Sequence, residues 1–480
     1  MARARWSVLV AVLFLGLATP VGAAAPSWGP AQRVALPTGA TGLSQGYLPS
    51  ISCPDASDCA ATGIYVDGAG NDVGMVVNEV AGHWRVATAI VAPPNAAAVP
   101  SVTPYWISCA SAGNCAVVGS YLDGSGNTDA LAVNEVNGVW RPATAIVLPG
   151  DAATQGQNAL LRSVNCSAPG ACSAIGTYAD ATSPVARTLG MTVNEVNGVW
   201  RAAQSVTLPA DTNATPLVSL SNLACASAGN CAATGSYLDA NNVTRGLLVT
   251  ETAGVWGAAT TLLDPANASA YALAQVSSLD CPAAGTCSAI GTYETADGHA
   301  AGFTLDERHG RWQRAVMMRL PVAPTVNPHV FFYGFAGVAC ASAGNCATGG
   351  QYRDANGTYQ AFVVNEVHGV WRNATRVALP AGASAGHNGG VVALTCPALG
   401  ACRAGAAYLD AHGNYQALLL SESGNVWRGA QTVSLPGGAT SVGVAGGVYA
   451  IVCVAANRCV AAGSYLASAT TYMGFTVTTR

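Results

Sequence analysis

Residues 105–148 read YWISCASAGNCAVVGSYLDGSGNTDALAVNEVNGVWRPATAIVL, and this stretch decides the fold. Four apolar runs stand out: Tyr105–Cys109, Cys115–Asp123, Ala130–Val136 and Val139–Leu148. Between them lie Ala-Ser-Ala-Gly-Asn, Gly-Ser-Gly-Asn and Asn137-Gly138, whose glycines and asparagines supply the positive backbone angles of tight hairpin turns. Joints this short connect only antiparallel neighbours, so the stretch predicts a four-stranded meander.

Working outward, the same signature returns eight times. Tryptophan recurs at Trp28, Trp84, Trp140, Trp200, Trp256, Trp312, Trp371 and Trp427, at intervals of 56 to 60 residues. A cysteine pair with five residues between its members precedes each of eight tyrosines, Tyr121 and Tyr178 among them, by a fixed six residues. Most units also carry a glycine two residues before the tyrosine and a later Glu-x-x-Gly-x-Trp, as in Glu135, Gly138 and Trp140. Four-stranded units at this period match the blades of a β-propeller, with a linear solenoid as the alternative.

The chain ends favour the ring. Trp28–Pro37 reads as a fourth strand with no unit before it, and Gly474–Arg480 as a third strand with none after it. Pairing them completes the last unit, which a solenoid has no need to do. Pro30 and Pro142 each follow a unit tryptophan by two residues, which suits an outermost strand, because proline cannot donate to a ladder. The reading is therefore an all-β, eight-bladed β-propeller of four-stranded antiparallel blades, its ring closed by the N-terminal strand, occupying residues 25–480 as a single domain.

Residues 1–24 read as a signal peptide: Arg3 and Arg5, an apolar core from Trp6 to Leu17, then small residues. No stretch is long enough to span a membrane as a helix. The chain is expected to be secreted, to the medium or the cell envelope. Of 20 basic residues, none is lysine and two lie in the signal, which leaves a net charge of −6 on the remainder. Schiff-base and phosphate-loop lysines are thereby excluded, and the absence of any basic patch argues against nucleic acid. Charged residues are 9% of the chain and hydrophobic residues 51%. Typical domains hold roughly 25% charge, so sheets buried on both faces are implied.

Sixteen cysteines in an exported chain imply disulfides. The spacing pairs Cys53–Cys59, Cys109–Cys115, Cys166–Cys172, Cys225–Cys231, Cys281–Cys287, Cys340–Cys346, Cys396–Cys402 and Cys453–Cys459, each bridging the first and second strands of one unit. A zinc reading needs two such pairs, or histidines, to converge, and the blades hold them apart. No metal or cofactor is expected.

Carboxylates run glycosidases, but Glu79, Glu135, Glu195, Glu251, Glu307, Glu366 and Glu422 recur once per unit, whereas a reaction uses one or two. Their expected role is to accept hydrogen bonds from turn amides while the tryptophans pack between blades. Asp67, Asp123, Asp180, Asp239, Asp354 and Asp410 open second turns and are expected to cap them, with calcium as the alternative. The motif resembles the Asp-box repeats of sialidase-like propellers, where an acid precedes glycine and tryptophan in the same kind of hairpin. It departs from them in carrying glutamate and a different glycine offset. The chain also resembles secreted bacterial repeat proteins with one cysteine pair per blade, over essentially its whole mature length. These resemblances imply fold, export and structural turns, not an activity.

No serine–histidine–acid or cysteine–histidine set is present, so no catalytic residues are assigned. Variation concentrates in the connections between units, where a rigid scaffold usually carries its function. Residues 327–335 hold His329, Phe331, Phe332, Tyr333 and Phe335, and comparable stretches hold Tyr47, Tyr105, Trp106, Tyr271 and Tyr449, with Arg162 as a lone charge. Either these aromatics take a ligand at the channel mouth or they plug the channel and pack the blades. The leading expectation is a monomeric, non-catalytic binding or scaffold protein for an extracellular glycan or protein. The alternatives are a hydrolase or lyase using carboxylates outside the repeat pattern (Asp151, Asp211, Asp264 or Glu294), and a structural envelope protein.

Overall fold

The computed structural model describes residues 27–479, apart from 44–49, 56, 182–186, 272, 322–329, 332–336, 355, 385–388, 444–446 and 469–470. The proposed signal segment therefore lies outside the described residues. Within them the chain is all β, in repeated antiparallel sheets, with no α-helix and one 3-10 turn at Pro436–Gly438. No helix among the described residues is long and apolar enough to cross a membrane.

The second repeat shows the plan. Thr103–Ser111, Asn114–Leu122 and Thr128–Val136 form a meander, followed by the short segments Val139–Trp140 and Thr144–Ala145. The two later strands are buried along nearly their whole length, which is why so few charges are tolerated. The apolar clusters lie between successive repeats: Ala60, Val76 and Ile90 of the first pack with Val102, Ile107 and Val117 of the second. In the same way Val460 and Ala462 of the last repeat pack with Ile51, Ala61 and Met75 of the first.

The expected fourth strand, Val139–Leu148, is broken in two. The cause is competition for one amide: Ala143 donates to Val91 O of the preceding repeat at 2.8 Å and leaves its own ladder there. Ala87, Ala203, Ala259, Ala315 and Ala374 do the same, and Ala31 donates to Ser434 O. Only the seventh repeat keeps an unbroken outer strand, Val426–Thr432, and there Ala430 pairs with Leu420 instead.

The N-terminal segment pairs with the last third strand, Gln32 opposite Thr476 and Arg33 opposite Phe475, with a further bridge from Trp28 to Thr479. Gly42–Leu43 pairs with both Tyr65–Val66 and Tyr472, joining the first and last sheets into one of ten strands. That junction was not foreseen. All sixteen cysteines form the eight expected bridges within single repeats.

The repeated glycine before the tyrosine has a steric cause. The inner strand's backbone crosses directly over it, so that a Cβ on Gly176 would stand 1.9 Å from Leu160 O and one on Gly235 1.9 Å from Ser219 O. The tyrosine itself is buried, and its hydroxyl donates to the connection ahead of it: Tyr121 to Asn95, Tyr178 to Asp151, Tyr237 to Asp211 and Tyr293 to Asn267.

Candidate functional site

The crossing over glycine goes with a β-bulge in the inner strand. In the second repeat Pro104 pairs with Gly119 and Trp106 with Val118, so Tyr105 is the extra residue. The same shift makes Arg162, Ser221, Ser277, Val392 and Tyr449 extra in five other repeats. Bulges re-aim side chains, and this one recurs at the same register with tyrosine, arginine, serine or valine at the extra position.

The inner strands of successive repeats lie side by side, and Ser50–Ser52 of the first also neighbours Gly447–Ala455 of the last. They enclose a cavity of about 650 Å³ lined by residues of all eight repeats, from Ser50 in the first to Val452 in the last. Tyr105, Trp106, Arg162 and Tyr449, expected from sequence to share a site, all line it. The Arg162 guanidinium lies 5.1 Å from the Tyr105 ring centre, a cation–π contact. Trp106 is 42% exposed, and burial pushes the Tyr449 phenol up to about 12. Hydroxyls and amides complete the lining: Ser221, Asn222, Gln275, Ser277 and Asn165.

His329, Phe332, Tyr333, Phe335 and Tyr47 fall outside the described residues. Phe331 belongs to a two-residue strand paired with Gln351. Tyr271 is exposed and does not line the cavity.

Sequence reasoning missed Asp280. In the first two repeats the residue before the first cysteine is a serine whose Oγ accepts the next repeat's cysteine amide: Ser52 from Cys109 and Ser108 from Cys166, each at 2.9 Å. Asp280 holds that position in the fifth repeat and accepts the Cys340 amide at 2.7 Å. It lines the cavity, and the surrounding protein raises its carboxyl to about 6 against the lowering pull of the Cys340 and Cys281 amides. Aligning the repeats at that column would have exposed it as the only acid there.

The acids weighed for hydrolase or lyase chemistry are engaged elsewhere. Asp151 and Asp211 hold the tyrosines just described, Asp264 pairs with Arg245 at 3.3 Å, and Glu294 accepts from Ser269. Asp123 caps its turn as expected, accepting the amides of Ser125 and Asn127 and the Asn127 side chain. Asp180 accepts the Arg187 amide and guanidinium instead.

The ring of glutamates corrects its expectation. These carboxylates do not mainly serve turn amides. Glu135 accepts from the Asn78 side chain of the preceding repeat, Glu195 from Asn134 at 2.5 Å, Glu251 from Asn194 at 2.6 Å and Glu422 from Asn365. The same asparagines accept, through Oδ1, the indole N–H of Trp140, Trp200, Trp256 and Trp427. Glutamate and tryptophan pair across one hairpin, Glu135 opposite Trp140, so both reach the same neighbour. Only Glu422 also accepts a backbone amide, that of Cys402 at 2.9 Å. Burial raises all seven carboxyls, Glu79 and Glu366 to about 7.

No family model and no curated protein matches the chain. Solved structures resemble it at low identity. An ulvan lyase bound to -[GlcA(1-4)Rha3S]- has a TM-score of 0.44 at 10% identity, covering 85% of this chain and 96% of the lyase. A protein of unknown function from Dyadobacter fermentans has a TM-score of 0.39 at 11% identity, covering 95% and 100%. A neuraminidase-like protein of an influenza A virus of the flat-faced bat has 0.32 at 11%, covering 83% and 94%. With TM-scores this low, none of the three is a guide to what this chain does.

Proposed function

We propose that the chain is an exported, closed eight-bladed β-propeller that binds an extracellular glycan in its axial channel without transforming it. One observation carries this reading: a single cavity of about 650 Å³ lined from every repeat, into which a repeated bulge sends Tyr105, Arg162, Ser221, Ser277 and Tyr449. The repeats are alike where they pack and unlike where they meet this cavity, and that contrast marks a site rather than a scaffold. Flat aromatic faces beside hydroxyl and amide groups match the alternating apolar and polar faces of a sugar ring. Closure is supported by the pairing of Gln32 with Thr476 and by the apolar cluster shared between the last and first repeats. Export is supported by eight disulfides, which persist in oxidising surroundings.

The test is a glycan array probed with the mature protein and with Trp106→Ala. The wild type is expected to retain a defined set of glycans. The variant is expected to lose them at least tenfold while its melting temperature stays within a few degrees. Equal retention by both proteins overturns the channel as the site.

A further inference from the structure

The channel-binding reading above leaves the chemistry of the ligand open, and Asp280 narrows it. The residue fills a position that in the first two repeats accepts one amide, which Ser52 and Ser108 do with a hydroxyl. Asp280 performs that task with Oδ2 on the Cys340 amide. A carboxylate has about four acceptor sites, and the backbone amides of Cys340 and Cys281 occupy at most two of them. No side-chain donor reaches it among the described residues, and no basic residue pairs with it. Asp280 lines the cavity and is the only acid among its described lining residues.

Asp280 occupies the register of Asn165, three residues along the inner strand from the bulged Arg162. At the rise of a strand, the two charges are separated by roughly 10 Å along the channel axis. That span is about two sugar units, so the acid lies at a different level of the channel from the Arg162–Tyr105 pair.

We infer that Asp280 is a specificity-determining residue, and that it selects a glycan whose terminal unit carries a free amino group. The ammonium is received at Asp280 while the following sugars meet Tyr105, Trp106 and Tyr449 at the other level of the channel. A carboxylate held among protein groups with no cation of its own gains most from a charged donor. A neutral hydroxyl would be served as well by the serine of the first two repeats. Asp280 therefore reads as a departure that the fold does not require and an amine does.

The experiment compares a tetramer of glucosamine with a tetramer of N-acetylglucosamine by titration calorimetry on the mature protein. Wild type is expected to bind the free-amine tetramer at least tenfold more tightly. Asp280→Ser, which installs the residue used by the first two repeats, is expected to abolish that preference and to keep the melting temperature. Asp280→Asn, which keeps the shape and removes the charge, is expected to do the same. A preference absent from the wild type, or surviving in both variants, overturns the inference. If neither tetramer binds while other glycans are retained in a Trp106-dependent way, the amine inference falls and the channel reading stands. If no glycan of any kind binds, the channel reading itself has failed.

Discussion

At the scale of single residues, conformation is set by close approaches that a sequence shows only as recurrence. Gly176 is the example: its recurrence two residues before Tyr178 was visible, but not its reason, a backbone carbonyl passing where a Cβ would be. Gly176→Ala is expected to cost about 3 kcal/mol, the upper range for an inserted methyl in a packed site, measurable by denaturant unfolding. The seventh repeat places Ala406 at this register opposite Val391, so the backbone has adjusted there and the same substitution would be less costly in a matching context. Arg403 makes a second case. It is buried, donates to the carbonyls of Ala401, Cys402 and Glu422, and reaches Ala456 O of the next repeat at 2.6 Å. It stands at the junction where Ser421 takes the place of the asparagine found in the first, second, third and sixth repeats, so it supplies a tie that the Asn–Glu–Trp relay cannot. Arg403→Ala is expected to lower stability by about 3 kcal/mol, since the carbonyls it serves lose their donor inside the protein. Tyr105, Trp106, Arg162 and Tyr449 were legible as candidates because they break a repeat. Asp280 was not, because it lies inside the otherwise regular stretch next to a cysteine.

At the scale of elements, the turns were legible almost residue by residue, since Asn137 and Gly138 carry the positive φ angles, 51° and 78°, that the pair signals. The outer strand was not, because its interruption depends on an amide bonding to a different repeat, which no local pattern records. Two glutamates that stand outside the asparagine relays have a consequence for acidity. Glu79 and Glu366 are raised to about 7 by burial first, then by the nearby Asp58 and Asp306 respectively. In the unfolded chain a glutamate titrates near 4.3. A raised folded value means that the stabilising, protonated form is fully present below about 4.3 and is lost as pH climbs through 7. Stability is therefore expected to fall between pH 5 and pH 8, by on the order of 2 kcal/mol for each of these groups, and the melting temperature with it. Glu79→Gln, which fixes the neutral shape, is expected to flatten that dependence; an unchanged slope would remove Glu79 as its source. Each disulfide closes a loop of a few residues and is expected to contribute about 2 kcal/mol, so Cys166→Ser with Cys172→Ser should lower stability by that amount and leave the other seven bridges in place on peptide mapping.

At the scale of the whole molecule, the period, the number of repeats and the complementary ends were all legible, because a repeat is written in the sequence as many times as it is built. The union of the first and last sheets through Gly42–Leu43 was not, since it uses two residues outside any repeated motif. Removing residues 28–37 is expected to strip the last sheet of its partner strand, lower the melting temperature by more than 10 °C, and produce association through the bared edge, visible by light scattering. A melting temperature within error of the intact protein would mean that the pairing contributes nothing. The same pairing also bears on time. The Gln431 side chain holds both the amide and the carbonyl of Trp28, 403 residues away, whereas the sheets of the second to seventh repeats are assembled from neighbours in sequence. Local hairpins form in microseconds, but a contact of such separation must wait for nearly the whole chain to be in place. Refolding is expected to show a fast phase of sheet assembly followed by one slower pairing of residues 28–37 with the last third strand. During that wait the open edge is available to the corresponding strand of another copy. Refolding at high concentration should therefore divert part of the protein into strand-exchanged pairs that dilution alone does not quickly undo.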